Sequence, residues 1–204
     1  MMLRLAAAML GVLILCRASG TQQVSYWIEP CTGPAAARSA CVPADAELAR
    51  WAFEAWQKAA GGGLRFRKAG AESEAGIRVH WLIRQPQLYG EAHPESVSGR
   101  RVWNIEVQPD LAQFGGEIGG AGAADPLFRD TVVYLTCLHE IGHALGLRHT
   151  ADFADIMYSF QYGGNILDYF QRYRRRLASR ADILRNGGMS AAERAKIAHE
   201  YASE

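Results

Sequence analysis

One segment of eleven residues constrains the fold more than any other part of the sequence. Residues 139–149 read His-Glu-Ile-Gly-His-Ala-Leu-Gly-Leu-Arg-His and hold three of the six histidines in the chain. On an α-helix each residue advances by about 100°, so His139 and His143 lie on one face, one turn apart. A continued helix would carry His149 roughly 15 Å along the axis from His139. The chain must therefore turn back if the three imidazoles are to meet.

Gly146 suits that reversal, because glycine ends a helix in the left-handed conformation without a Cβ clash. Three neutral histidines bind Zn²⁺ and leave its fourth tetrahedral position open, which distinguishes a catalytic zinc from a structural one. Glu140 projects beside the same face, within reach of a water at the metal. The segment predicts one catalytic zinc ion, with His139, His143 and His149 as ligands and Glu140 as the catalytic general base.

This segment resembles the extended zinc-binding motif of the metzincin metalloendopeptidases, HExxHxxGxxH. Residues 155–158, Asp-Ile-Met-Tyr, are similar to the family's Met-turn, which implies that Met157 packs beneath the metal. Within the metzincins, residues 144–147 and 156–158 resemble the matrixins most. The resemblance implies a zincin-like fold: a mixed, mostly parallel twisted sheet, an active-site helix and an edge strand that lines the cleft.

The resemblance also implies where a substrate binds. Residues 101–107 would form the strand on the upper rim of the cleft, antiparallel to a bound peptide. Leu138 or its neighbours, together with residues 160–164, would line the specificity pocket. Ser159 stands where matrixins usually have proline, so the pocket is expected to differ.

Two of the three histidines outside the motif lie in the first half of the chain. His80 and His93 fall where matrixins hold a second, structural zinc, but the other ligands of that pattern are missing from the sequence. We therefore expect His80 in a strand and His93 in a loop. A calcium requirement stays open, because the Gly-rich residues 114–124 offer only Glu117 as an acid.

The hydrophobic pattern predicts a mixed α/β (α+β) fold. Period-two alternation indicates strands at residues 24–28, 64–67, 77–82 and 101–107, and helical spacing indicates a helix at residues 45–60. These elements form a sheet covered by at least one helix.

The second half of the chain is predicted to be helical after a Gly-rich loop at residues 114–124. A buried helix from about residue 130 to residue 145 carries the first two histidines. One amphipathic helix follows over residues 166–184. Ser190 and Glu193 form a capping box that starts a last helix.

The first twenty residues have the organisation of a signal peptide. One positive charge precedes an unbroken apolar run at residues 5–15, and small residues follow at Ala18, Ser19 and Gly20. The run is too short to span a bilayer, and we expect no transmembrane span later in the chain. Residues 1–20 are thus a predicted signal peptide, and residues 21–204 a single secreted or periplasmic domain. Lipid anchoring through Cys16 is the alternative, disfavoured by the bulky Leu15 before it.

An oxidising compartment favours a disulfide between Cys31 and Cys41, which are ten residues apart. The alternative is that Cys31 blocks a zinc ion, since no matrixin-type pro-segment fits between residues 20 and 24. Cys137 lies among apolar residues and is expected to be a buried free thiol.

The chain has a formal net charge of +1, so no nucleic-acid partner is expected. Residues 163–188 nevertheless concentrate positive charge and look like a helical insertion in a minimal matrixin domain. Its arginines are Arg172, Arg174, Arg175, Arg176, Arg180 and Arg185. A solvated helix face is the favoured interpretation and docking to an acidic partner the alternative. We expect a monomer.

Two functions remain open from sequence. The first is an exported zinc endopeptidase that acts on protein or peptide substrates, with hydrolysis of non-protein amides as a variant. The second is a zinc-containing binding protein that acts through its cleft or the Arg-rich helix without turnover. Glu140 favours the first, because a non-catalytic site needs no general base.

Overall fold

A five-stranded sheet forms the frame of the protein in the computed structural model, which describes residues 20–82 and 88–202. The strands are β1 (Gln22–Ile28), β2 (Leu64–Lys68), β3 (Ile77–Trp81), β4 (Gly90–Val97) and β5 (Arg100–Val107). Their order is β2-β1-β3-β5-β4, and all neighbours are parallel except β4, which runs antiparallel to β5. The predicted mixed, mostly parallel sheet is confirmed.

Seven α-helices lie within the described residues. They are α1 (Gly33–Ser39), α2 (Asp45–Ala59), α3 (Gly116–Ala124), α4 (Pro126–Ala144), α5 (Ile166–Arg174), α6 (Ala181–Asn186) and α7 (Ala191–Glu200). The long helices α2 and α4 pack together, and the indole N–H of Trp56 on α2 donates to the carbonyl oxygen of Leu138 on α4 at 2.9 Å. Both residues are fully buried, so this contact lies in the hydrophobic core that holds α4 in place.

The edge strand beside α4 is β4, and the expectation that residues 101–107 would form the cleft rim is wrong. Those residues belong to β5, which lies between β3 and β4. His93 is a residue of β4, so its predicted loop position is also wrong. The strand escaped detection because Pro94 and charged residues interrupt the apolar alternation, a composition that edge strands tolerate.

The Gly-rich residues 114–124 contain helix α3 instead of a loop. A Cβ atom on Gly122 would lie 2.8 Å from Cδ2 of Leu111, and one on Gly119 would lie 3.2 Å from the Leu111 carbonyl oxygen. These glycines therefore permit close packing of α3 on the preceding turn. Tertiary packing outweighs the low helix propensity of glycine in this segment.

The Arg-rich segment forms two helices, not the single helix expected over residues 166–184. Residues 175–180 separate α5 from α6. The Asp182 carboxylate accepts the backbone N–H groups of Ala178 at 3.0 Å and Ser179 at 2.8 Å. A short polar side chain thus provides these groups with a partner outside a continuous helix.

Two arginines of this segment face other helices, whereas Arg175, Arg176 and Arg185 are exposed, as expected for a solvated face. Nε of Arg174 lies 2.7 Å from Oδ2 of Asp125, at the start of α4. Nε of Arg180 lies 2.8 Å from Oδ2 of Asp130, and its guanidinium lies 4.7 Å from the ring centroid of Trp51 on α2. These contacts attach the segment to α2 and α4.

Cys31 and Cys41 form a disulfide, with α1 in the loop between them, and Cys137 is a buried free thiol. None of the described helices is long and apolar enough to cross a membrane. The predicted signal peptide, including Cys16, lies outside the described residues except for Gly20.

The ion pair between Asp45 and Arg129 connects α2 with α4. Asp45 is fully buried, and its Oδ2 accepts from Nη2 of Arg129 at 2.7 Å and from the Val42 N–H at 2.8 Å. Replacing Asp45 with alanine leaves the mostly buried guanidinium of Arg129 with only Asp130, whose Oδ1 lies 3.5 Å from Nη1 of Arg129. We expect Asp45→Ala to lower the free energy of unfolding by about 3 kcal/mol, measured by urea denaturation.

The matched control is Glu54→Ala, which removes a surface ion pair with Arg50. Both partners of that pair are more than 40% exposed, so its loss should cost less than about 1 kcal/mol. An equally small loss for Asp45→Ala would show that the buried pair does not stabilise the contact between α2 and α4.

Candidate metal centre

Three histidines converge at the end of α4. Nε2 of His149 lies 3.3 Å from Nε2 of His139 and 3.1 Å from Nε2 of His143. The reversal that brings His149 back occurs at Gly146, whose φ of 90° lies in the left-handed region. The N–H of Leu147 then donates to the Gly142 carbonyl oxygen at 3.0 Å and closes the turn.

Backbone carbonyls orient two of the imidazoles. Nδ1 of His139 lies 2.7 Å from the carbonyl oxygen of Ile156, and Nδ1 of His143 lies 2.9 Å from that of Leu147. A carbonyl only accepts, so each Nδ1 carries the proton and each Nε2 presents a lone pair. Burial lowers the pKa of His139 to about 4 and also lowers that of His149, which keeps both rings neutral at pH 7.

The donor set fits a zinc ion. Tetrahedral Zn–N bonds of about 2.05 Å place ligand nitrogens about 3.3 Å apart, close to the 3.3 Å and 3.1 Å that separate Nε2 of His149 from those of His139 and His143. The Nε2 lone pairs of His139 and His143 both face Nε2 of His149. A proton on that nitrogen could bond to only one of them, whereas a bound cation accepts the lone pairs of all three rings. Within the described residues this is the one group of three potential ligands whose atoms lie within 4.8 Å of one another.

Glu140 lies beside the histidines and is 7% exposed. Burial raises the pKa of its carboxyl group to about 8, and the nearby Glu91 carboxylate adds to the rise. Gly90 on β4 lies against this side chain: a Cβ atom there would lie 3.0 Å from Cγ of Glu140 and 2.6 Å from Cγ2 of Thr136. The absence of a side chain at Gly90 therefore lets the edge strand approach the carboxylate.

Met157 packs beneath the histidine-bearing turn of α4 and is 2% exposed. A Cβ atom on Gly142 would lie 2.4 Å from Sδ of Met157 and 3.1 Å from Cζ2 of Trp56. Glycine at this position between the two helical histidines is therefore required by the packing of Met157. The contact joins the Met-turn (residues 155–158) to α4.

Glu193 on α7 holds the Met-turn from the other side. Its Oε1 accepts the Met157 N–H at 2.9 Å, and its Oε2 accepts the Ser190 N–H at 2.9 Å. The capping box predicted for Ser190 and Glu193 is present. The capping box follows from the local sequence, but the contact with the Met-turn does not, because nothing in the sequence relates two positions 36 residues apart.

A cavity of about 220 Å³ opens beside the histidines. Its lining comprises Leu88, Tyr89, Gly90, Leu135, Thr136, His139, Glu140, His149, Tyr158, Ser159, Phe160, Tyr169 and Phe170. Leu138, expected in the wall, is fully buried on another face of α4, and its neighbour Leu135 takes that place. A helix presents positions i and i+4 on one face, so Leu135 lies on the same face of α4 as His139, whereas Leu138 lies on another face.

His80 and His93 are not brought together. His80 lies on β3 and pairs with Glu106 of β5, while His93 lies on β4 and pairs with Asn104. Nε2 of His80 lies 3.7 Å from Oε1 of Glu72. Strand β5 thus separates the two histidines.

One comparison with known protein families covers the residues of this site. The sequence profile of the matrixin family matches residues 100–166, about a third of the chain, which include all three histidines and Met157. The crystal structure of archaemetzincin from Methanopyrus kandleri is similar, with a TM-score of 0.45, 15% sequence identity and coverage of 85% of this chain and 98% of that chain. No curated protein sequence matches. The profile match agrees with the zinc-binding motif and the Met-turn that the sequence predicts, and it indicates a zinc metallopeptidase.

The bond between Glu193 and the Met-turn yields a testable prediction. Glu193→Ala leaves the buried Met157 N–H without its acceptor, at a cost of about 1–3 kcal/mol in the free energy of unfolding. Because the adjacent Ile156 carbonyl orients His139, zinc affinity should also fall by about tenfold or more, measured by competition with a chromophoric chelator. Glu200→Ala, an exposed acid at the end of the same helix, serves as control. Unchanged zinc affinity in Glu193→Ala would show that the bond between Glu193 and the Met-turn does not help to orient His139.

Proposed function

We propose that this metzincin-like chain is an exported zinc endopeptidase that hydrolyses peptide bonds in protein or peptide substrates. The observation that carries the proposal is the convergence of the three Nε2 atoms beside the buried carboxylate of Glu140. His139, His143 and His149 would hold one zinc ion. They leave room in the 220 Å³ cavity for a substrate group next to the ion.

The chemistry divides between the metal and Glu140. Zinc, when bound, polarises a carbonyl group and lowers the pKa of the water that it holds. Glu140 takes the proton from the attacking water and returns it to the amine that leaves. Its position favours this role, because Glu140 lines the same cavity as His139 and His149, and a general base must lie within reach of the water whose proton it takes.

Strand β4 supplies a binding surface for an extended peptide. It is the edge of the sheet next to α4, so its outward N–H and C=O groups can pair with a substrate main chain. Gly90 lies at the end of β4 that is in contact with Glu140. A peptide aligned along β4 would therefore reach the catalytic carboxylate.

The alternative is a zinc-containing binding protein without turnover. The buried, unpaired position of Glu140 beside the histidines favours catalysis, since a purely structural site gains nothing from an adjacent carboxylate. Docking through the Arg-rich segment is weakened because Arg174 and Arg180 make ion pairs within the chain. Hydrolysis of non-protein amides is a variant that the same residues would support.

We further propose that the protein acts outside the cytoplasm as a single-domain monomer, with residues 163–188 as an insertion. The organisation of residues 1–20 as a signal peptide supports export, and so does the disulfide between Cys31 and Cys41. Lipid anchoring through Cys16 is the alternative, and the mass of the mature N-terminus distinguishes the two.

The role of Glu140 is tested by Glu140→Gln, which keeps the shape of the side chain but cannot accept the proton. We expect zinc content equal to the wild type and a loss of peptide cleavage of at least about 100-fold in kcat/KM. Glu117→Gln, at an exposed acid on α3, should cleave normally. Full activity in Glu140→Gln would exclude this carboxylate as the general base.

Removal of zinc tests the metal site itself. A mixed peptide library is incubated with the mature protein with and without a chelator, and cuts that need zinc should vanish on chelation. Zinc at 1,000 times its Kd should also raise the free energy of unfolding by about 4 kcal/mol. His149→Ala should abolish most of this increase. An equal increase in that variant would mean that zinc binds elsewhere.

A further inference from the structure

A groove of about 770 Å³ lies between helices α2, α6 and α7, and its volume is typical of binding sites. It shares no lining residue with the cavity beside the histidines. Helix α7 faces both regions, because Glu193 bonds to the Met-turn whereas Arg194 and Ala195 line the groove. The groove is therefore a feature of the fold that zinc binding and peptide cleavage do not use.

The surface of the groove is largely apolar and is built from small side chains. Ala55 and Ala59 lie one turn apart on α2, and Ala195 and Ala198 lie one turn apart on α7. Leu184 of α6 also lines the groove and is 48% exposed, so much of its side chain faces water. Alanines leave room between the helices for side chains of another molecule. Covering Leu184 would remove apolar surface from water, which is favourable.

Two positive charges flank this apolar surface. Lys58 lies on α2 and Arg194 lies on α7, and within the described residues neither side chain makes an ion pair. Nη1 of Arg194 donates to the Met189 carbonyl oxygen at 2.6 Å, which holds the guanidinium beside the groove without neutralising its charge. The groove thus presents one cation from each of two walls.

The other charged side chains of the lining already have partners of opposite charge. Glu54 pairs with Arg50 on α2, and Arg185 pairs with Asp182 on α6. The uncompensated charge of the groove is therefore positive, which favours an acidic ligand and opposes a basic one.

We propose that this groove binds an amphipathic α-helix of a partner protein, with acidic residues at the flanks of its apolar face. A helix laid between α2 and α7 packs its apolar face on the alanines and Leu184, as helices do in hydrophobic grooves. Its acidic flanks then meet Lys58 and Arg194. The proposal does not depend on the proposed peptidase function, because the groove and the histidine cavity share no lining residue.

The test begins with selection from a displayed library of helical peptides whose surface positions are randomised. The target is the mature, zinc-loaded protein. Peptides that also bind Ala195→Trp, whose indole fills the groove, are removed, and those that still bind Ala191→Trp, an exposed position of α7 outside the groove, are kept. We expect the selected peptides to share an apolar stripe with glutamate or aspartate beside it.

Charge variants then show whether the cations of the groove hold the peptide. The strongest binder is synthesised with a fluorophore, and its Kd is measured by fluorescence anisotropy. Lys58→Glu should weaken binding by at least about tenfold, because like charges then face each other. Lys196→Glu makes the same charge change on α7 outside the groove and should alter Kd by less than about twofold. Thermal unfolding establishes that each variant is folded.

A selection that yields no binders, or basic ones, would overturn the proposal, and so would a Kd that Lys58→Glu leaves unchanged. Proline in the middle of the selected peptide should abolish binding, because proline breaks a helix. Binding that survives this proline would show that the groove takes an extended chain, which contradicts the proposal.

Two other occupants of the groove give distinct outcomes. Phosphatidylglycerol vesicles that sediment with the wild type but not with Lys58→Glu, when no helical binder is found, would assign the groove to a lipid surface. A dimer in sedimentation velocity that Ala195→Trp dissociates would assign it to a second copy of the chain. Either result would overturn the proposal. The selected peptide should bind zinc-loaded Glu140→Gln as it binds the wild type, so a failure of peptide cleavage leaves the test of the groove intact.

Discussion

The carbonyl oxygen of Ile156 is the acceptor on which the geometry of the site depends. It receives Nδ1–H of His139 at 2.7 Å and the Tyr169 hydroxyl group at 3.1 Å. The next residue, Met157, donates its N–H to Glu193 and packs its sulfur against α4. Helices α4, α5 and α7 therefore meet at one short stretch of backbone. Because a carbonyl fixes the tautomer of the ring that donates to it, the position of this stretch determines which nitrogen of His139 can hold a metal.

The sequence predicts those parts of the site that depend on short-range geometry. Helical spacing places His139 and His143 on one face, and Gly146 permits the turn that returns His149. The capping box of α7 is equally local. The partners that hold the site together are distant in sequence: Glu193 lies 36 residues from Met157, and Tyr169 lies 13 from Ile156. Periodicity carries no information about such pairs, so they emerge only from the packed fold.

The incorrect secondary-structure predictions share a physical cause. Strand β4 lacks apolar alternation because an edge strand needs less of it. Helix α3 contains glycines because a side chain at Gly119 or Gly122 would collide with Leu111. In both cases tertiary contacts override local preference. The break between α5 and α6 is different, since Asp182 accepts the backbone N–H groups of Ala178 and Ser179 just before α6. The sequence contains a local signal for this helix start, the Ser-x-x-Asp pattern of residues 179–182. The predicted cavity wall of Leu138 or its neighbours is supplied by Leu135, one helical turn before His139, while Leu138 points into the core.

The segment from residue 163 to residue 188 is an integral part of the site and not a solvated arm. Arg174 and Arg180 anchor it to α2 and α4, so its helices keep a fixed position relative to the histidines. Within α5, adjacent side chains then perform separable tasks. Tyr169 acts through a directional hydrogen bond, which tolerates little displacement, whereas Phe170 acts through apolar contact, which depends mainly on volume. A substitution that alters volume at Phe170 can therefore change the pocket while the Tyr169 hydrogen bond keeps the Ile156 carbonyl oxygen, which orients His139, in place.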